Sequence, residues 1–280
     1  MSDLLRETAG VRSQAVARWH ASLRAIAVLS IALWSAAAVA VARASSQFAS
    51  EIGCDVQLLL SAAYVAGCAF RSFLPVVDIP RIVLVDHRLS SVSIGRSVAT
   101  VAELCFAAQW ALLLHRLASL SGSPSGETLS LAILPLILLA EGCSWYAVLT
   151  TGQLAHAAEN ALWGLSAALV LAAVWVIGPL RLAALDVPVI LWCLGGIAYV
   201  AFIFGYDVPM YWSRWRANRA RGHRHLSIRA GLLDTCGRRS VSYRWEDWKE
   251  EVLWMTLYFT FGVWSSISLI YTSLAIEHHH

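Results

Sequence analysis

Seven predominantly apolar stretches recur along the chain, at 23–43, 56–77, 97–114, 128–150, 154–177, 187–208 and 252–274. Most are about 20 residues long, the length a helix needs to cross a bilayer. The pattern predicts an all-α polytopic integral membrane protein, a bundle of about seven transmembrane helices forming one domain over residues 1–275. The first run is too long for a signal-peptide core and lacks a clear cleavage pattern, so it reads as a retained span. The third run is short and carries Glu103. Only Thr151-Gly152-Gln153 separates the fourth from the fifth, which forces an antiparallel helical hairpin. The closing residues 276–280, Ile276-Glu277-His278-His279-His280, read as an expression-tag remnant.

Composition agrees with the pattern. Of 280 residues, 58% are hydrophobic and 14% charged, with a mean hydropathy of +0.62. A soluble domain carries about 25% charged residues, so this is membrane composition throughout. With the N-terminus in the cytoplasm, the inner segments hold Arg6, Arg12, Arg18, Arg81, Arg88, Arg96 and the basic run from Arg214 to Arg244. The outer segments hold Arg43, Arg116 and Arg181. The positive-inside rule then predicts a cytoplasmic N-terminus and an external C-terminus, in a bacterial inner (plasma) membrane.

The longest connection, about 211–251, is basic and then mixed. Its arginines beside Tyr211, Trp212 and Trp215 are expected to anchor the chain at the interface and meet anionic headgroups of membrane lipids. Phosphate recognition by Arg214, Arg216 and Arg219 is the functional alternative. A nucleic-acid partner is not expected, because this charge lies beside a bilayer and already accounts for topology. Leu226 to Leu233 predicts one short interfacial helix ending near Gly237. Asp78-Ile79-Pro80 and Asp207-Val208-Pro209 each close a span, and each proline is expected to end its helix there. The aspartates would bond the freed backbone or a nearby arginine. Lys249 is the only lysine and precedes the last span, where it cannot carry a retinal Schiff base. The six cysteines form no Cys-x-x-Cys pair and indicate no disulfide framework.

The candidate chemistry lies in the few ionisable residues inside the spans. A charge at membrane depth costs about 2.5–3.5 kcal/mol on insertion scales, so such groups are kept for function or for pairing. Arg96, Thr100 and Glu103 share a stripe at i, i+4 and i+7. His156, Glu159, Asn160 and Trp163 share another, Glu141 and Ser144 a third, and Arg71 ends span two on the same side. All fall in the inner half of the bilayer. Three chemistries fit them. A divalent metal such as zinc or iron would use His156, Glu159, Glu103 and Glu141; di-iron sites need two Glu-x-x-His pairs, and this chain has one pair in reverse order. General acid–base catalysis on a lipid-like or isoprenoid substrate would use the same four residues. A proton-coupled transporter or channel would use them as a relay.

Arg71, Arg96, Asn160, Trp163 and Asp207 are the candidate substrate-binding residues, the arginines holding anionic groups. The plainer expectation is structural pairing, of Glu103 with Arg96 or Arg71 and of Glu141 and Glu159 with Asn160, Ser144 or the tryptophans. His20, His87 and His115 sit at span ends and are expected at the interface or in solvent. Transporters commonly break helices at glycine or proline near the midplane. Here Pro135, Pro188 and Gly195-Gly196 are the candidates, and they lie away from the carboxylates. The sequence therefore favours a membrane enzyme, with a proton-coupled transporter second and a non-catalytic scaffold or receptor third.

Overall fold

A computed structural model describes residues 2–47, 52–178 and 186–278. Arg181, the side chains of Arg6, Arg12 and Pro188, and His279 and His280 lie outside the described residues. The helices are α1 (Ser2–Gln47), α2 (Ile52–Phe73), α3 (Val92–Ser121), α4 (Pro124–Thr150), α5 (Gln153–Ile177), α6 (Asp186–Phe202), α7 (Val208–Ala220), α8 (Ile228–Gly237), α9 (Trp245–Leu257) and α10 (Val263–His278). Two-residue strands β1 (Val76–Val77), β2 (Ile82–Val83) and β3 (Ser240–Val241) lie between them. Seven helical stretches are long and apolar enough to cross a membrane, the sixth running Val189–Ala220 and the seventh Trp245–Ile276. The expected all-α bundle of seven spans is what forms.

Local chemistry sets the helix ends. The α2 helix stops at Phe73, not at Pro80, because Pro75 bars the preceding residue from helical conformation. Ser91 caps α3 by accepting from the Ile94 amide, and Gly122 closes it with φ 64°. The short third run is thus a full 30-residue helix. Ser123 caps α4, with Pro124 in the first turn. Thr151 turns left-handed at φ 60°, and Gln153 already begins α5, giving the expected hairpin.

Pro209 does not end its helix. A π-helical turn at Ile203–Asp207 precedes it, and α7 continues through Pro209 in its first turn. A π turn admits one extra residue, which accommodates the missing proline donor without stopping the helix. The last span carries a second π turn, Tyr258–Gly262, between α9 and α10. Much of the expected long basic connection is therefore helical.

The bundle packs around two apolar clusters. One joins α1, α2 and the last span through Leu23, Tyr64, Trp248 and Phe259. The other joins α3, α4, α5 and α10 through Leu113, Leu114, Ile133, Ile137, Val174 and Leu269. Close approach uses small residues, as membrane interfaces do: a Cβ on Gly67 would lie 2.7 Å from that of Ala102. The sixth span is peripheral, with only 11% of its apolar window buried.

One end of the bundle is capped. There β2 pairs antiparallel with β1 and parallel with β3. Arg81, with φ 78° and 1% exposure, clamps this cap. Its Nε donates to Asp234 Oδ2 at 3.0 Å, its Nη2 to the Val148 carbonyl at 2.7 Å, and its Nη1 to the Asp78 carbonyl. The α8 helix, capped by Ser227 and close to the predicted interfacial helix, lies so near α4 that a Cβ on Gly231 would sit 1.8 Å from the Leu149 carbonyl oxygen.

Candidate functional site

Above the cap, α2, α3, α4 and α5 each contribute ionisable side chains to one buried cluster. Arg71, Arg96, Glu103, Glu141, His156 and Glu159 are all at most 9% exposed. Arg96, one turn into α3, stands at its centre. Its Nη2 donates to Glu103 Oε2 at 2.6 Å and to Glu141 Oε2 at 2.8 Å. Its Nη1 lies 3.6 Å from Glu159 Oε1. The α3 stripe supplies both partners within one helix, because residues seven apart return to the same face.

Each carboxylate has a second tie. Glu103 Oε1 accepts from the Tyr258 hydroxyl at 3.0 Å and lies 3.8 Å from Arg71 Nη1. Glu141 Oε2 accepts from Thr100 Oγ1 at 2.5 Å, and Thr100 in turn accepts from Trp145 Nε1 at 3.0 Å. Glu159 Oε2 is 2.8 Å from His156 Nδ1. The His156 ring faces Tyr211 at 5.2 Å between centroids. Arg71 also lies over the Trp254 and Phe259 rings, at 5.9 and 5.8 Å. Such desolvated ring contacts contribute about 2 kcal/mol.

The structure thus brings together six expected site residues: Glu103, Glu141, His156, Glu159, Arg71 and Arg96. It corrects several of their roles. The Arg96 guanidinium occupies the point on which the carboxylates converge, and among the described residues no group of three or more His, Cys, Asp or Glu is placed to hold a metal. Arg96 meets three glutamates through its two terminal nitrogens, while its Nε is buried without a hydrogen bond. Glu141 and Glu159 pair with Arg96 and not with Ser144 or Asn160; Ser144 Oγ is buried without a partner.

Asn160 donates to the His156 carbonyl one turn back, at 2.9 Å. Trp163 packs against the second apolar cluster and stays out of the polar group. Asp207 lies in the first π turn, half-buried, within electrostatic reach of Glu251, Arg214, Glu159 and His156. His115 is not simply solvated: its Nδ1 lies 3.3 Å from the buried Ser130 Oγ.

Two contributors were missed from sequence. Tyr258 completes Glu103, yet a hydroxyl within an apolar run gives no hydropathy signal; Thr100, expected on the Arg96–Glu103 stripe, completes Glu141. The other is a second polar layer, farther from the cap. Gln109 Nε2 donates to the Gln57 carbonyl at 3.1 Å, and Gln57 Nε2 to the Gln109 carbonyl at 3.0 Å. Ser266 Oγ is 2.5 Å from Gln109 Oε1 and 2.9 Å from Ser61 Oγ. The available signal was spacing: Gln57, Ser61, Tyr64, Cys68 and Arg71 follow one face of α2.

Two surface grooves lie away from the cluster, one of them lined by Trp212, Trp215, Arg216 and Arg219. Compared with known proteins, the chain matches no family model, no curated protein and no solved structure.

Proposed function

We propose that the chain is a proton-coupled membrane transporter or channel, with the Arg96 cluster as its coupling element. Charge balance is the observation that carries this. Two guanidiniums, Arg71 and Arg96, face three carboxylates, Glu103, Glu141 and Glu159, and His156 stands on the third. An unbalanced charge at this depth is costly, so the cluster is neutral when it holds one extra proton. The His156–Glu159 pair, 2.8 Å apart, offers that proton two acceptors. When the proton leaves, Glu159 competes with Glu103 and Glu141 for the one guanidinium that reaches all three. Because these carboxylates belong to α5, α3 and α4, the choice of partner is tied to helix position.

The two π turns support the same conclusion. Transporters place helix irregularities at their binding sites, and π turns concentrate at functional positions. Here one carries Asp207 and the other Tyr258, which bonds Glu103. The helix breaks expected away from the carboxylates are thus joined by two beside them, which reverses the preference for an enzyme. The arginine asymmetry supports a cytoplasmic capped end, in a bacterial inner membrane, with the groove of Trp212, Trp215, Arg216 and Arg219 facing anionic lipid headgroups.

The test uses purified protein in liposomes loaded with a pH-sensitive dye, under an imposed potassium potential, with and without a panel of amines, amino acids, sugars and organic acids. Protein-dependent proton uptake that disappears in His156→Ala and Glu159→Gln is the expected result. Absence of any protein-dependent proton movement, or wild-type rates in both variants, refutes the proposal.

A second proposal, a membrane enzyme acting on a lipid-like or isoprenoid substrate, is favoured by one observation. Tyr199 is exposed and within electrostatic reach of Glu103 and Glu159, and Asp207, Tyr211, Trp254 and Tyr258 are only partly buried. In this reading a lipid would approach laterally along these residues of the sixth and seventh spans. Turnover of extracted lipids by the purified protein, lost in the same two variants and without proton-linked flux, would favour this proposal over transport.

A further inference from the structure

The polar face of α2 does not stop at the Arg96 cluster. Gln57, Ser61, Tyr64, Cys68 and Arg71 follow one another at alternating steps of four and three, and all are at least nine-tenths buried. From Arg71 to Gln57 the stripe covers about 21 Å at 1.5 Å per residue. One of its ends is ion-paired and the other hydrogen-bonded. Toward the cap, Arg71 and Tyr258 meet Glu103. Away from it, Ser61, Ser266, Gln109 and Gln57 form the second polar layer.

Tyr64 lies on the stripe between these two ends. Its ring stacks on Phe106 at 4.5 Å and meets the Tyr258 ring edge-on at 5.9 Å. Its hydroxyl is buried and makes no hydrogen bond of good geometry, although the Tyr258 hydroxyl and the Cys68 thiol lie within interaction range. A buried hydroxyl without a partner costs about 1–3 kcal/mol, and native structures rarely keep one without a reason. The second π turn makes room for it: a Cβ on Gly262 would lie 2.6 Å from the Tyr64 oxygen.

We propose that this stripe is the proton path from the Arg96 cluster toward the uncapped side of the membrane, with the Tyr64 hydroxyl as its movable link. The inference rests on the proton-coupled function proposed above. A proton leaving Glu103 passes to the Tyr258 oxygen as Tyr258 releases its own to Tyr64. Tyr64 then hands one to Ser61, Ser61 to Ser266, and Ser266 releases its own to water entering from the uncapped side. At each oxygen one O–H bond forms as another breaks, so one proton crosses and no electron moves. Gln109 does not carry the proton; its Oε1 orients the Ser266 hydroxyl. The buried Gln57 Oε1, also without a donor, lies near the far end of the stripe.

The dye-loaded liposome measurement separates this path from mere helix packing. Tyr64→Phe keeps the ring against Phe106 and removes only the hydroxyl. Proton flux should fall by roughly a hundredfold, the scale on which one positioned proton-transfer group acts, at a melting temperature no lower than that of wild type. Gly262→Ala, whose methyl occupies the space of the Tyr64 oxygen, should lower the flux likewise, with some loss of stability from overpacking. If either variant fails to fold, Ser61→Ala carries the test with the same readout. Wild-type flux in the folded variants overturns the path while leaving the proton-coupled function standing. A wild-type protein that moves no protons under any condition overturns that function, and the path with it.

Discussion

Replacing Arg96 with methionine removes the centre of the cluster while keeping most of its apolar stem. In the native protein that guanidinium lies 2.6 Å from Glu103, 2.8 Å from Glu141 and 3.6 Å from Glu159. At an effective dielectric near 20, a unit pair at about 4 Å is attracted by about 4 kcal/mol. Three such pairs give a gross attraction on the order of 10 kcal/mol, most of it offset by the cost of taking the guanidinium out of water. Removing one partner of a buried pair costs about 3–5 kcal/mol net, because the other charge is left behind. Here three carboxylates are left behind, so the upper end applies. At roughly 2–4 °C per kcal/mol for a chain of this size, the melting temperature should fall by about 10–20 °C.

The assay is thermal unfolding of the detergent-solubilised protein, followed by tryptophan fluorescence. Adding Glu141→Gln, which keeps the shape and deletes one negative charge, should recover part of the loss, a coupling of about 1–3 kcal/mol. Acidic buffer should narrow the gap between Arg96→Met and wild type, because proton binding then neutralises the stranded carboxylates. An Arg96→Met protein that melts with wild type, or a double variant no better than the sum of its parts, refutes the proposed electrostatics.

Two further outcomes test the packing around the site. Gly231→Ala forces a methyl group to within 1.8 Å of the Leu149 carbonyl oxygen, and overpacking of this kind costs about 1–3 kcal/mol or more. Limited proteolysis should then cut faster near Gly222 and α8, and an unchanged protease lifetime would refute the contact. Gln109→Leu strips partners from the Gln57 carbonyl, the Ser266 carbonyl and the Ser266 hydroxyl. Each orphaned buried group costs about 1–3 kcal/mol, so this variant should melt well below wild type, whereas Gln109→Asn at the same position tests whether reach alone matters.

The spans were legible because apolar runs of bilayer length leave few alternatives, and the α4–α5 hairpin because three residues permit no other connection. The cluster was half legible. Helical spacing put Arg96, Thr100 and Glu103 on one face and His156 with Glu159 on another. It could not say that Arg96 would take all three carboxylates, because that depends on how helices rotate about one another. Trp163 shares the His156–Glu159 stripe but is turned just far enough to pack with the apolar cluster. The π turns left no trace in composition, since one inserted residue changes geometry without changing hydropathy, and Pro209 misled by suggesting a helix end. Arg81 counted only as a topology charge, because a left-handed arginine is set by contacts distant in sequence. The Gln57–Ser61–Ser266–Gln109 layer was hidden because amides and small hydroxyls barely dent an apolar run.

The clamp at Arg81 has a consequence for the order in which the protein can be completed. Its partner Asp234 comes 153 positions later in the chain, and the strand that pairs with Ile82–Val83 is Ser240–Val241. A chain made from its N-terminus therefore carries six of its seven spans before either arrives. Through that interval the floor beneath Glu103, Glu141 and Glu159 lacks its clamp, and it shuts only when the segment carrying Asp234 and Ser240–Val241 emerges from the ribosome and docks.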